Sequence, residues 1–402
     1  MSDSNRRPLI LHISSDYPDP FRPPTTDAVR RLVDRMTDHP QIVVSLQRLN
    51  DPRREYWHDL GSVDGRRHIA CGYFAPPWGI GMLACQALLA RRIRAFLSAE
   101  GLAPSVVHAH RFTFEGIGAW LVARRTRAAL FFSVRGEVES KVFSAKPTYR
   151  PLFRRMARDA ARVYFVSAWF RERFCRHTGL DPARTHLLPN IVMNARAVIE
   201  PVLPERRIAC VMTLRAIDRK GLPELLAAFA RAGSALDGIT LEIIGDGPEE
   251  AFARARMLID SNELTGRVAL RGPMQHEALL GHLGGALGMA LPSHNETFGM
   301  VYPEALFAGT PILYGAGTGI DGYLDGLDVG VAVVPGDVDS IAGGLVALVW
   351  DNARLRAGIR NGGRQLFARF DPDTVMERYR ADAAEIPARP GRQASGQAGL
   401  IT

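Results

Sequence analysis

ALGMALPSHNETFGMVYPEALFAGTPILYG (286–315) reads as a strand, a helix and a second strand, and that reading decides the fold class. ALGMAL (286–291) is a short apolar run of the kind a buried strand makes. Pro292 and Ser293 turn the chain, and a helix begins around Gly299. Pro303 falls in its first turn, where a missing N–H is harmless, and Gly309 is a natural stop. TPILYG (310–315) is the next strand. Strands joined through helices lie parallel, and the ligand site of a parallel sheet is at the carboxyl ends of its strands. The loop 292–300 should therefore face a ligand.

The same alternation extends outward in both directions. Upstream, strands are predicted at 208–214, 239–245 and 267–272, with helices at 222–232 and 249–261; a helix follows at 338–350. The first half repeats the pattern, with strands at 8–14, 41–46, 105–110, 128–134 and 162–167 and helices at 26–36, 82–97, 115–125 and 168–177. EPVLPER (200–206), two prolines in a polar stretch, separates the series. The expected class is α/β: two Rossmann-like domains with parallel sheets facing a central cleft, over 1–198 and 205–368. No internal repeat is found. PARPGRQASGQAGLIT (387–402) lacks periodicity and is expected to be a disordered tail.

At 402 residues, 47 % hydrophobic and 23 % charged, the chain is ordinary globular protein, too long for one core. Its longest mostly apolar run, Trp78–Ala90, is stopped by Arg91 and Arg92, well short of the roughly 20 residues a spanning helix needs. The first residues have no extended apolar core, which argues against a signal peptide. Cys71, Cys85, Cys175 and Cys210 lie far apart and fit reduced cysteines of a cytosolic protein, not a zinc site or a disulfide framework. The net charge of +8 is uneven. Residues 1–200 hold 31 Lys+Arg against 18 Asp+Glu, or +13, and residues 201–402 hold 19 against 24, or −5. A basic half suggests an anionic partner, but its cations are not interleaved with aromatics as nucleic-acid binders require. Only Lys141, Lys146 and Lys220 are lysines.

Within HNETFGMVYPEALFAGTPIL (294–313), the N–H groups of Phe298, Gly299 and Met300 would point at an anion from a helix N-terminus. Glu296 and Glu304, eight positions apart, offer acceptor-only carboxylates that suit pairs of sugar hydroxyls. On the residues alone a second reading stands: Glu304 balances the helix dipole and Glu296 is a solvated loop acid.

The pattern N-E-T-F-G-M-V-x-P-E-A-L-x-x-G-x-P resembles the signature of glycosyltransferase family 4, retaining nucleotide-sugar-dependent enzymes of the GT-B fold. The resemblance implies that Glu296 touches donor-sugar hydroxyls, Glu304 the nucleotide ribose, and the amides of Phe298, Gly299 and Met300 the diphosphate. TLRAIDRKGLPELLAAF (213–229) is similar to the family's Arg, Lys-Gly, helix segment. It implies diphosphate contacts for Lys220 and Arg215, with Arg219 a competing assignment. LEIIGDGPEE (241–250) and RGPM (271–274) resemble segments near the donor nucleotide, which brings in Gly245 and Arg271. FDPDTVMERYR (370–380) resembles a terminal helix, here 370–386, that crosses back to the first domain.

The first half matches more loosely. SVVHAHRFTFEGIGAWLVAR (105–124) resembles the strand that ends in histidine at the cleft, pointing to His110; a structural histidine is the alternative. Two departures stand out. FRPPTTDAV (21–29) lacks the family's frequent glycine pair, and SVRGEV (133–138) has Arg135 where a His-Gly is usual. Asp16, Thr25 and Arg135 are the acceptor-side candidates.

Metal dependence would normally show an Asp-x-Asp loop. Asp337-Val338-Asp339 and Asp371-Pro372-Asp373 both precede helical patterns and read as caps, so no metal and no cofactor beyond the nucleotide-sugar co-substrate is expected. A nicotinamide dehydrogenase needs a Gly-rich loop after its first strand, yet residues 14–26 contain no glycine. An epimerase, a non-catalytic sugar-nucleotide binder, or a transferase with a soluble acceptor remain as alternatives. The charge split favours a lipid-linked glycan acceptor of bacterial surface-polysaccharide assembly and peripheral binding to the anionic cytoplasmic leaflet. WGIGMLACQALLARRIRAFL (78–97) is the candidate contact, or else an ordinary core helix with a basic end.

Overall fold

The computed structural model describes residues 7–22, 26–63, 65–192 and 203–389. The chain divides into two units: Met1–Val166 with Glu172–Leu188 and Met376–Thr402, and Ser167–Arg171 with Pro189–Val375. The first boundary therefore falls ten residues before the expected 198. The tail expected over 387–402 lies outside the described residues from 390 onward.

The first unit carries strands β1 (Ile10–Ser14), β2 (Gln41–Leu49), β3 (Tyr56–Val63), β4 (Arg66–Phe74), β5 (Val106–Ala109), β6 (Ala129–Val134), β7 (Arg162–Phe165) and β8 (Thr185–Leu187). They form one sheet in the order β3-β4-β2-β1-β5-β6-β7-β8. All neighbours are parallel except β3 and β4, an antiparallel hairpin. Every residue of β1 is buried, as expected of a central strand covered on both faces. The helices here are α1 (Ala28–Asp34), α2 (Met82–Ala99), α3 (Phe114–Thr126), α4 (Glu137–Ala145), α5 (Arg150–Asp159) and α6 (Arg171–Thr178). Phe112 anchors their packing, with its ring 4.7 Å from Phe174 and 4.9 Å from Phe132. α2 buries Met82, Gln86, Leu89, Ile93 and Leu97 along one face, a core helix as the second reading had it, yet Leu83 and Leu88 stay exposed.

The second unit contains β9 (Glu205–Val211), β10 (Thr240–Ile244), β11 (Val268–Gly272), β12 (Ala286–Leu291), β13 (Ile312–Gly315) and β14 (Gly330–Val333), in the order β11-β10-β9-β12-β13-β14. All its pairings are parallel. Its helices are α7 (Leu222–Arg231), α8 (Glu249–Ser261), α9 (His276–Gly284), α10 (Val301–Phe307), α11 (Val338–Trp350), α12 (Asn352–Asn361) and α13 (Gly363–Phe370). The final helix, α14 (Pro372–Ala384), brings Tyr379 and Asp382 against the first unit's sheet. Asp382 accepts from Tyr164 Oη at 2.9 Å and from Arg162 Nε at 2.8 Å. Both Asp-x-Asp pairs open helices. Asp337 accepts from the N–H groups of Asp339 and Ser340, and Asp371 from that of Thr374.

Candidate functional site

In the second sheet the chain runs from β9 to β10 and β11 on one side, then returns to β12 on the other. The loops after β9 and β12 diverge at this reversal, where open parallel sheets take their ligands. The β12 loop carries Glu296, whose residue is 8 % exposed. Its N–H donates to Thr318 Oγ1 at 2.7 Å, and its carbonyl accepts from Gly319 N at 2.9 Å. Gly299 and Gly319 lie close beside it; a Cβ on either would come within 3.4 Å of the Glu296 side chain.

The β9 loop delivers Lys220, whose ammonium donates to Glu296 Oε2. Both side chains are largely shielded, at 13 % and 11 % exposure, so solvent screens this pair little. Gly221 sets the lysine: its φ is +73°, and a Cβ would sit 2.5 Å from the Pro292 carbonyl oxygen. Arg219 joins the same junction. Its guanidinium donates to the Asn295 carbonyl at 3.4 Å, and its own carbonyl accepts from His294 N at 2.9 Å. Arg215 stands exposed on an open groove that Arg219, Pro248, Ala251 and Arg254 also line, and among the described residues it makes no hydrogen bond to the Glu296 loop. Of the two competing arginines, the structure thus brings Arg219 to the Glu296 loop.

Glu304 is half-buried in the first turn of α10. That helix begins at Val301, two residues later than the sequence suggested, and has only seven residues. Its dipole is correspondingly short, so loop amides matter more than the helix end. Among the described residues, the N–H groups of Phe298, Gly299 and Met300 meet no main-chain acceptor. The Phe298 ring is fully buried, 5.4 Å from Tyr323 and edge-on, so this residue can offer a ligand only its backbone. Tyr302 beneath the loop donates to the Leu291 carbonyl at 2.6 Å; burial and the Glu296 charge raise its phenol well above the ordinary value.

Gly245 ends β10 with φ +156°, and a Cβ there would overlap the Met212 carbonyl. This backbone conformation is essentially restricted to glycine and costs other residues about 1–3 kcal/mol before any clash. Gly245→Ala should therefore lower the thermal midpoint of the second unit by several degrees; an unchanged melt would contradict the geometry. Arg271, another expected donor-side residue, is paired on the β10–β11 side of the sheet. Its guanidinium donates to Glu242 Oε1 at 3.0 Å, and His282 Nε2 lies 2.6 Å from Glu242 Oε2. Glu242, 2 % exposed in mid-strand, needs these partners to remain ionised, and they hold its carboxyl below the ordinary range despite its burial.

The first sheet has its own reversal between β1 and β5. Asp16 follows β1 and accepts from Arg111 through both oxygens, at 2.8 and 2.9 Å. Arg135 approaches Asp16 at 3.7 Å and donates to the His110 carbonyl at 3.1 Å. Burial would raise the Asp16 pKa, but the two guanidiniums hold it below the ordinary value. Thr25 lies outside the described residues. Sequence reasoning missed Arg111, Glu115 and Glu139. Glu115 accepts from Ser15 N at 2.9 Å and Glu139 from Phe112 N at 3.0 Å, and both are fully shielded. Burial, helped by the Asp16 charge, pushes Glu115 up to about 7, and burial also raises Glu139. The signal available was two acids opening α3 and α4 beside a basic strand end.

His110 belongs to a buried trio with His12 and His108, whose nearest nitrogens lie within 4.8 Å of one another. His12 Nδ1 is 3.1 Å from His110 Nε2; His108 lies 2.7 Å from Tyr379 Oη and 2.9 Å from Ser133 Oγ. Burial drives all three pKa values down, His12 to about 3, so the rings are neutral at pH 7. His12 and His108 are register partners on adjacent strands, which puts their side chains on one face.

Known proteins resemble this arrangement over most of its length. A 2-deoxystreptamine N-acetyl-D-glucosaminyltransferase of Streptomyces fradiae is 27 % identical over 256 residues, covering 60 % of this chain and 59 % of the relative. A GDP-mannose-dependent alpha-(1-6)-phosphatidylinositol monomannoside mannosyltransferase of Mycobacterium tuberculosis is 27 % identical over 250 residues, covering 58 % and 64 %. The chain thus spans less than two thirds of either relative. The crystal structure of HepE from Anabaena in complex with UDP superimposes with a TM-score of 0.68 at 16 % identity, over 94 % of this chain and all of that one. Residues 25–196 match the family described as Glycosyltransferase Family 4, and residues 198–366 match Glycosyl transferases group 1. Taken together these two matches run from residue 25 to residue 366, and the chain belongs to the family 4, group 1 glycosyltransferases of the GT-B fold.

Proposed function

We propose that the protein transfers a sugar from a nucleotide-α-sugar to an acceptor hydroxyl with retention of configuration and without a metal ion. The observation that carries this reading is the meeting of Lys220 and Glu296 where the second sheet reverses. A carboxylate suited to sugar hydroxyls and an ammonium suited to a diphosphate sit side by side there, next to amides without main-chain partners. The UDP held by HepE supports a nucleotide donor. In the reaction, the bond from the anomeric carbon to the phosphate oxygen breaks and the acceptor oxygen bonds to the same face. The acceptor proton passes to the departing phosphate. Lys220, Arg219 and the loop amides stabilise the negative charge that grows on the leaving group, and Glu296 fixes the sugar.

The acceptor in this reading is a lipid-linked glycan at an anionic membrane surface. Support comes from the +13 charge of residues 1–200, the exposed Trp78, Ile80, Leu83 and Leu88, and the lipid acceptor in the mannosyltransferase's name. Among the described residues no helix is long and apolar enough to cross a membrane. The test is to incubate the protein with UDP-, GDP- and ADP-sugars and a lipid-linked acceptor in EDTA, and to read product configuration by NMR. An α-linked product with chelator present is expected. An inverted product, or activity that returns only with manganese or magnesium, would overturn the reading.

A further inference from the structure

The first unit contains a cavity of about 250 Å³ that the transfer chemistry above does not use. Met82, Phe114 and Val142 give it an apolar interior, and Tyr73 and Gln86 are its polar uncharged side chains. Gln86 is 1 % exposed, donates to Tyr73 Oη at 3.2 Å, and leaves its Oε1 without a partner. Every charged side chain on the lining is a cation: Arg48, Lys141 and Lys146. These include two of the chain's three lysines. Lys141 pairs with Glu137 at 3.0 Å, whereas among the described residues Lys146 has no carboxylate partner, only the Gly79 carbonyl at 3.5 Å.

The mouth of the cavity is apolar and exposed. Trp78 is 86 % exposed and Ile80 61 %, and Leu83 and Leu88 of α2 are exposed as well. Trp78 adopts a left-handed backbone, φ 60°, between Pro77 and Gly79, a conformation that costs a bulky residue and yet turns its ring outward. An apolar hole with an apolar approach and cations on its lining suits a hydrocarbon chain that ends in phosphate. The basic end of α2 contributes less, since the Arg92 guanidinium stacks over Trp57 at 5.1 Å.

We propose that this cavity seats the chain of a phosphate-bearing lipid, the acceptor's carrier, with Lys146, Lys141 and Arg48 on the phosphate and Trp78 and Ile80 flanking the hydrocarbon. The proposal rests on the lipid-acceptor reading above and names the site that would recognise the lipid. Lys146, on the rim without a carboxylate partner among the described residues, suits a phosphate, and a protein-binding patch would not need a hole.

Farnesyl phosphate, below its micellar concentration, is the probe, with Trp78 fluorescence as the signal and Trp78→Phe as its control. Saturable binding is expected, at least tenfold tighter than farnesol, with inorganic phosphate alone giving no response. Ala145→Trp, at an exposed position on the lining, should reduce farnesyl phosphate affinity at least tenfold. Lys146→Glu should erase the preference over farnesol, and neither variant should shift the thermal midpoint. Equal affinity for farnesol and farnesyl phosphate, or unchanged binding in both variants, would overturn the proposal. Nucleotide-sugar binding is measured in parallel on the same proteins. Lipid binding lost with donor binding intact defeats this site alone, whereas absent donor binding in the wild type defeats the transferase reading.

Discussion

Lys220→Ala is expected to lower turnover by about 10²–10³-fold while weakening donor binding far less. The reason is that the diphosphate gains charge as the glycosidic bond breaks, so a cation placed on it acts more strongly in the transition state than in the ground state. Lys220 is well placed for this: it precedes Gly221, whose backbone lies close against Pro292, and it is shielded from solvent. Lys220→Ala also removes the apolar stem; Lys220→Met keeps that stem and so separates lost packing from the lost charge, which in both variants leaves Glu296 without its ammonium partner. Steady-state kinetics against donor concentration read the split. A rise in KM with kcat unchanged would remove Lys220 from the leaving-group role.

The second large effect concerns acid. His12, His108 and His110 have folded pKa values far below the unfolded value of about 6.5, so the stability they confer is present above 6.5 and lost as pH falls. Below that pH the unfolded chain binds up to three protons that the folded chain refuses. Glu115 and Glu139 act oppositely: their folded pKa values are raised, so their contribution is complete below about 4.5 and declines as pH rises, for Glu115 through about 7. Between about pH 6.5 and 4.5 the histidines outnumber the acids. The first unit should therefore lose stability as pH falls through this range, and lose it more steeply below about pH 4.5 once unfolded carboxylates also protonate. Because total stability is only about 5–15 kcal/mol, the loss should show as a lower urea midpoint in acid. Urea unfolding at pH 7, 6 and 5 checks it, and equal midpoints at pH 7 and 5 would contradict it.

The parallel architecture was legible because its strands are buried on both faces and read as plain apolar runs. ILHIS, IACVM and ALGMAL all behave this way. The β3–β4 hairpin was not seen, since YWHDLGSV carries His58 and Asp59 on an edge strand and shows no clean alternation. The sequence Asp64-Gly65 between two runs was the available hairpin signal. In the site, Glu296 and Lys220 could be picked out from local patterns, because each lies in a loop whose glycines and prolines shape it. Arg271 could not be placed, since its partner Glu242 is 29 positions away on the neighbouring strand. The Asp16–Arg111–Arg135 cluster and the three-histidine cluster were equally hidden. Both arise from strand register and helix approach, which no single stretch of sequence encodes.

The most direct measurement of the central claim is calorimetric titration of UDP-, GDP- and ADP-sugars into the wild-type protein and Glu304→Ala. Hydrogen bonds from ribose hydroxyls to an ionised carboxylate contribute about 1.5–3 kcal/mol each. One of the donors should bind the wild type, and its affinity should fall tens-fold or more in the variant. Binding of none of them, or an affinity that Glu304→Ala leaves unchanged, would contradict the assignment of this loop to a nucleotide sugar.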